Sequence, residues 1–187
     1  MDSVKIAHLA AIELANVLSK IDEHQVDDLI NKLTNCNNIF VLGAGRSLLM
    51  MKAFAMRLMH VGFHVHVVGE VTTPALQKGD VLIIASGSGE TQNLVSIAQR
   101  AKNYGGSVIA MSIFENSSLA NIADQLVKIP AYSDKLPESE NNKKGILPGG
   151  SMFEEALLLL CDAVIIHFIN NKKICTEQGF EKHANLE

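Results

Sequence analysis

The sequence predicts an α/β three-layer sandwich, with helices covering both faces of a parallel sheet. Three observations carry that expectation. Apolar runs short enough for buried strands recur along the chain, the plainest being Val81-Leu-Ile-Ile-Ala85. Helix-patterned segments separate these runs, so strands and helices alternate. The runs are near-continuously apolar, as strands buried on both faces must be.

Each element follows from its pattern. Ile6, Leu9, Ile12 and Leu14 suggest a first helix. Val26, Leu29, Ile30 and Leu33 give a second, with spacing i, i+3, i+4, i+7. The asparagines within 35–38 break that pattern. Strands are expected over 39–42, 64–68, 81–85, 107–112 and 126–130, and helices over 47–60, 91–103, 118–123 and 151–170. Residues 131–150, polar and holding two prolines, read as an exposed loop, with a lid as the second reading. No internal repeat appears.

At 187 residues the chain is most naturally one domain, 1–187, with room for a sizeable core. Apolar residues make up 48% and charged residues 19%, a globular balance. Sixteen basic against twenty acidic residues give a net charge of −4, no argument for nucleic acid. Neither a run of 18 apolar residues nor a basic-then-apolar leader is present, so no membrane span or secretory signal is expected. Cys36, Cys161 and Cys175 are odd in number and widely spaced, which points to a reducing compartment. A cytoplasmic location is the default.

The chemistry concentrates in Ser86-Gly-Ser-Gly-Glu-Thr91, directly after the 81–85 run. A helix start there presents hydroxyls from Ser86, Ser88 and Thr91 beside free N–H groups, including that of Gly87, and the helix dipole favours an anion. The expected ligand is a phosphate ester; the competing reading is an ordinary Ser/Gly turn. A P-loop needs a lysine that this turn lacks. A nucleophile elbow fails because Ser86 and Glu90 flank Ser88 where glycines are required.

A second glycine turn, Gly43-Ala-Gly-Arg-Ser47, follows the first expected strand. Leu48 stands where a dinucleotide fingerprint requires its third glycine, so a nicotinamide is not expected even though Glu70 lies near the distance of a ribose-binding acid. Gly45 and Ser47 instead offer a backbone N–H and a hydroxyl at another helix start. Arg46 contacts either sugar or phosphate, or else serves as a surface or subunit ion pair. His64 and His66 share a strand face, but no third ligand is evident and no metal is expected. Met50, Met51, Met56 and Met59 read as helix packing.

With both turns in view, the chain resembles the sugar isomerase (SIS) domain family. The matching blocks are Gly43–Ser47, Phe54-Ala-Met-Arg-Leu-Met-His60 with Gly62-Phe63, and Val68-Gly-Glu-Val-Thr-Thr-Pro74. Ser86–Thr91, Leu147-Pro-Gly-Gly-Ser-Met-Phe-Glu154 and Lys182-His-Ala-Asn-Leu186 extend the likeness over almost the whole chain. It is most similar to the branch that interconverts 3-hexulose 6-phosphate and fructose 6-phosphate in the ribulose monophosphate pathway. Two features depart from the family: Gly149 stands where Met is frequent, and 133–144 is longer and more polar. The resemblance implies a five-stranded, flavodoxin-like sheet, a homo-oligomer (commonly a tetramer), a sugar phosphate as small-molecule partner, and no cofactor.

Moving a carbonyl to the neighbouring carbon needs a base that takes and returns a proton through an enediolate, and a second group for the oxygens. Glu154, in the first turn of the last helix and matching the family's Phe-Glu motif, is the expected base; a dipole-complementing acid is its plain alternative. Glu155 is the substitute candidate. His183, in the tail, matches a histidine that reaches a neighbouring subunit in related isomerases. His60 ends the 47–60 helix, so it too would act across an interface. Glu90 contacts a sugar hydroxyl or merely caps a helix. The rival readings are another SIS-family isomerase, a sugar phosphate-binding sensor, and a generic nucleotide-binding domain.

Overall fold

A computed structural model describes residues 2–134, 138, 142, 144–172, 183, 185 and 186. The elements run in chain order: α1 (Ser3–Leu18), α2 (Glu23–Thr34), β1 (Ile39–Gly43), α3 (Arg46–His60), β2 (Val65–Val67), β3 (Val81–Ala85), α4 (Gln92–Asn103), β4 (Ser107–Ser112), α5 (Ser118–Ile122), β5 (Gln125–Lys128) and α6 (Ser151–Lys172). The five strands form one sheet in the order β2-β1-β3-β4-β5, and every pairing is parallel.

Alternation along the strands divides the core in two. Val41, Ile83 and Ile109, aligned in register, face the larger cluster with Leu29, Phe54 and Phe153 from α2, α3 and α6. Their neighbours Leu42, Ile84 and Ala110 face the smaller cluster with Leu94, Ala98 and Leu119 from α4 and α5. Both faces are therefore covered, which is why these strands carry so few polar residues. Truncating a fully buried ring such as Phe54 to Ala removes about 3–5 kcal/mol.

The expected elements all form, with shifted ends. β5 stops at Lys128 instead of reaching residue 130, because Pro130 has no N–H to continue a ladder and Ala131 N bonds back to Ile129 O at 2.8 Å. α4 begins one residue later than expected, with Thr91 as its N-cap.

Two features place the site. β1 lies between β2 and β3, so the chain leaves it toward one side and returns on the other. Open α/β sheets bind ligands at such a reversal, beyond the carboxyl ends of the strands. At the opposite ends, Asp80 is 2% exposed and ties β1 to β3. Its carboxylate accepts from Asn38 N (3.1 Å), Asn38 Nδ2 (2.9 Å) and Gln77 N (2.8 Å).

Candidate active site

The corner after β1 requires glycine at the strand end: a Cβ on Gly43 would lie 2.9 Å from Leu48 N, so a side chain would push α3 off the strand. Gly45 caps α3 at φ +56°, ψ −131°, with no side-chain hydrogen bond. Ser47 follows in the first turn, 8% exposed, and its hydroxyl has no partner among the described residues.

The corner after β3 is built on hydroxyls. Ser86 Oγ accepts from Gly89 N (3.1 Å) and Ser88 Oγ accepts from Glu90 N (3.2 Å), which leaves each O–H free to donate. Thr91 caps α4 by position, yet its side chain makes no capping bond, so neither the hydroxyl nor the first-turn N–H groups are consumed. Gly89 sits at φ +65°, and any Cβ there would overlap Ser117.

Ser47, Ser86, Gly87, Ser88 and Thr91 line one pocket of about 180 Å³, between the two corners. Glu154, Ser133 and Asp134 join them from other segments. The pocket thus sets Ser47, at the start of α3, opposite the hydroxyls of the β3 corner.

Glu154 stands in the first turn of α6, its side chain 15% exposed. Arg46 reaches across from α3: Nη1 donates to Glu154 Oε2 (3.0 Å) and Ser151 Oγ (2.7 Å), and Nη2 to Glu155 Oε1 (2.6 Å). Oε1 of Glu154 has no hydrogen-bond partner among the described residues and lies beside Gly150, where a Cβ would approach it at 3.9 Å. Burial raises the Glu154 carboxyl above the ordinary glutamate range, opposed by Arg46 and reinforced by Glu155. A carboxylate raised in this way is a stronger base than a free one.

Other expected residues lie elsewhere. The Arg46 guanidinium is directed to α6 and does not line the pocket. Glu90 accepts from Ser118 N (2.7 Å) and Oγ (2.6 Å), capping α5; those bonds hold its carboxyl below the usual range. His60 and His183 stack with ring centroids 5.2 Å apart. Burial lowers the His60 pKa, with Arg57 and His183 adding to the effect, so its imidazole stays neutral near pH 7. Ser47 and His60 lie 13 positions apart on α3, about 20 Å along its axis. Within one chain the histidines are remote from the pocket.

Sequence reasoning missed the Arg46 clamp, because Arg46 and Glu154 are 108 positions apart and no local pattern links them. It also missed Ser133 and Asp134, which lie at the start of the irregular segment. Whether 131–150 closes as a lid falls on residues 135–137, 139–141 and 143, outside the described residues, as does Cys175. Among the described residues, no group of three His, Cys, Asp or Glu side chains could hold a metal ion, and no helix is long and apolar enough to cross a membrane.

Fold and pocket together define an α/β domain with a hydroxyl-lined crevice where the strand order reverses. The chain belongs to the SIS domain family, whose pattern matches residues 32–137. It is 46% identical to 3-hexulose-6-phosphate isomerase of Bacillus subtilis over 175 residues, covering 94% of each chain. It is 39% identical to the Mycobacterium gastri protein of the same name, covering 94% of this chain and 86% of that one. A Methanococcus jannaschii protein of solved structure, inferred to have a molecular function of 3-hexulose-6-phosphate isomerase, superposes with TM-score 0.82 at 32% identity. That match covers 97% of this chain and 98% of the other.

Proposed function

We propose that the chain is an isomerase interconverting 3-hexulose 6-phosphate and fructose 6-phosphate. The observation that carries this reading is Glu154, a raised carboxylate with one free oxygen, lining the same small pocket as four hydroxyls. Its support outside the site is the 46% identity to a named isomerase over nearly the full chain.

Ser47, Ser86, Ser88 and Thr91 hold the phosphate ester by donating to its oxygens, aided by the open amides at the start of α4. Glu154 Oε1 takes the proton from C2 of the 3-hexulose, and the electron pair moves into the C2–C3 bond as the C3 carbonyl becomes an enediolate oxygen. Transfer of the O2 proton to O3 and return of the carbon proton to C3 leave a C2 carbonyl, which is fructose 6-phosphate. Arg46 anchors Oε2 so that Oε1 stays aimed; a placed general base of this kind supplies ~10²–10⁴ in rate. The oxygen-to-oxygen transfer falls to a histidine of a neighbouring subunit, His183 or His60, since both are remote from the pocket of their own chain.

The working form is then a homo-oligomer, a tetramer by the family's habit, in the cytoplasm, serving the ribulose monophosphate pathway. Exposed apolar side chains on α3 (Leu49, Met56, Met59) and α6 (Leu159, Ile166) suit such contacts. Purified protein assayed with arabino-3-hexulose 6-phosphate, with coupled detection of fructose 6-phosphate, tests the reading. Turnover supports it; absence of turnover there, with turnover on arabinose 5-phosphate, replaces it by another isomerase of the family.

A further inference from the structure

The pocket carries a second carboxylate that the proposed mechanism leaves unused. Asp134 lines it beside Glu154, and its side chain makes no hydrogen bond or ion pair among the described residues. Gly149 and Gly150 separate the two acids: a Cβ at Gly149 would lie 3.9 Å from Asp134 Oδ2, and one at Gly150 would lie 3.9 Å from Glu154 Oε1. Neither glycine has a side chain to cover its carboxylate, so both acids open on the same space.

Asp134 is held at its base. Ser133 is 5% exposed and Asn142 6% exposed, and the Asn142 amide grips the Ser133 backbone at two points, accepting from Ser133 N (2.8 Å) and donating to Ser133 O (2.9 Å). A buried side chain thereby does the work of a neighbouring strand and fixes where the next residue emerges.

We propose that Asp134 binds a substrate hydroxyl and so helps to choose the sugar, an inference that rests on the sugar phosphate reading above. A carboxylate has no proton to offer and only accepts. It repels the phosphate, which directs the ester to the serine corners, and it accepts from hydroxyls on the carbons farther along the chain. The phosphate-side hydroxyls donate, while the opposite wall accepts. This polarity matches a polyhydroxylated phosphomonoester and disfavours a dianionic ligand with a charge at each end.

Calorimetric titration of Asp134→Ala and Asp134→Asn with fructose 6-phosphate and, separately, with inorganic phosphate tests the assignment. Fructose 6-phosphate should bind Asp134→Ala about 10-fold or more weakly, as expected for losing a hydrogen bond to a charged acceptor. Asp134→Asn, which keeps an acceptor oxygen, should fall between Ala and wild type, whereas inorganic phosphate, relieved of a nearby negative charge, should bind both variants at least as tightly as wild type. Equal fructose 6-phosphate affinity in all three proteins overturns the role of Asp134 and leaves the functional reading standing. Equal weakening of both ligands overturns it too, as a general disturbance of the pocket. Failure of the wild-type protein to bind either ligand overturns the functional reading itself.

Discussion

Replacing Gly89 by Ala tests how the serine corner is built. Gly89 lies at φ +65°, where an L-residue costs roughly 1–2 kcal/mol. The new methyl would also overlap Ser117 Oγ and Cβ. Ser117 is 3% exposed and caps α5, accepting from Ala120 N at 3.3 Å and donating to Phe114 O at 3.0 Å. Displacing it forfeits a cap worth ~1 kcal/mol, and the crowding left behind adds ~1 kcal/mol more. The total is about 3–4 kcal/mol, which lowers the melting temperature of a domain this size by roughly 6–16 °C. Far-UV circular dichroism on heating measures that shift, and inhibition by inorganic phosphate should weaken with it because Gly89 N holds Ser86 Oγ. Gly87→Ala is the control: its Cβ would meet Phe153 Cδ1 at 3.4 Å, ordinary contact, so stability should move by only about 1 kcal/mol. A Gly89→Ala protein that melts within about 2 °C of wild type would refute this account of the turn.

Three further outcomes are expected. Glu154→Gln should lower kcat by ~10²–10⁴ while fructose 6-phosphate still binds by calorimetry, because the amide cannot act as a base. Arg46→Met removes the cation that opposes burial at Glu154, leaving Glu155 on α6 and Asp134 on the facing loop as the charges nearby. The carboxyl is then protonated at higher pH, and since the base must be ionised, the acid limb of the kcat profile should move upward in pH. Asp80→Ala strands the Asn38 and Gln77 donors at the foot of β1 and β3 and should cost about 3 kcal/mol in urea unfolding, with kcat of the remaining folded protein unchanged.

Much of this architecture is legible in local pattern. The 81–85 run is apolar throughout because it is buried on both faces, and Gly43 and Gly89 mark places where backbones meet too closely for a side chain. The serine corner is legible because its chemistry is contiguous. Strand order is different: no residue in β2 says that it flanks β1, and the flavodoxin-like order came from family resemblance. The same holds for the pairing of Arg46 with Glu154 and Glu155, and for the His60–His183 stack, which join distant segments through tertiary packing alone. Glu90 was legible as either a sugar contact or a cap, and the side chain of Ser118 favours the cap in the structure. Asp134 gave no signal, being one polar residue in a polar stretch.

The grip of Asn142 on Ser133 has an evolutionary consequence. Both ends of the intervening stretch are fastened by one amide, so its length can change at a closure cost that grows only as the logarithm of residue number. The choice of sugar made at Asp134 can thus change in a few codons next to this fastening while the proton-transfer machinery on α6 stays as inherited.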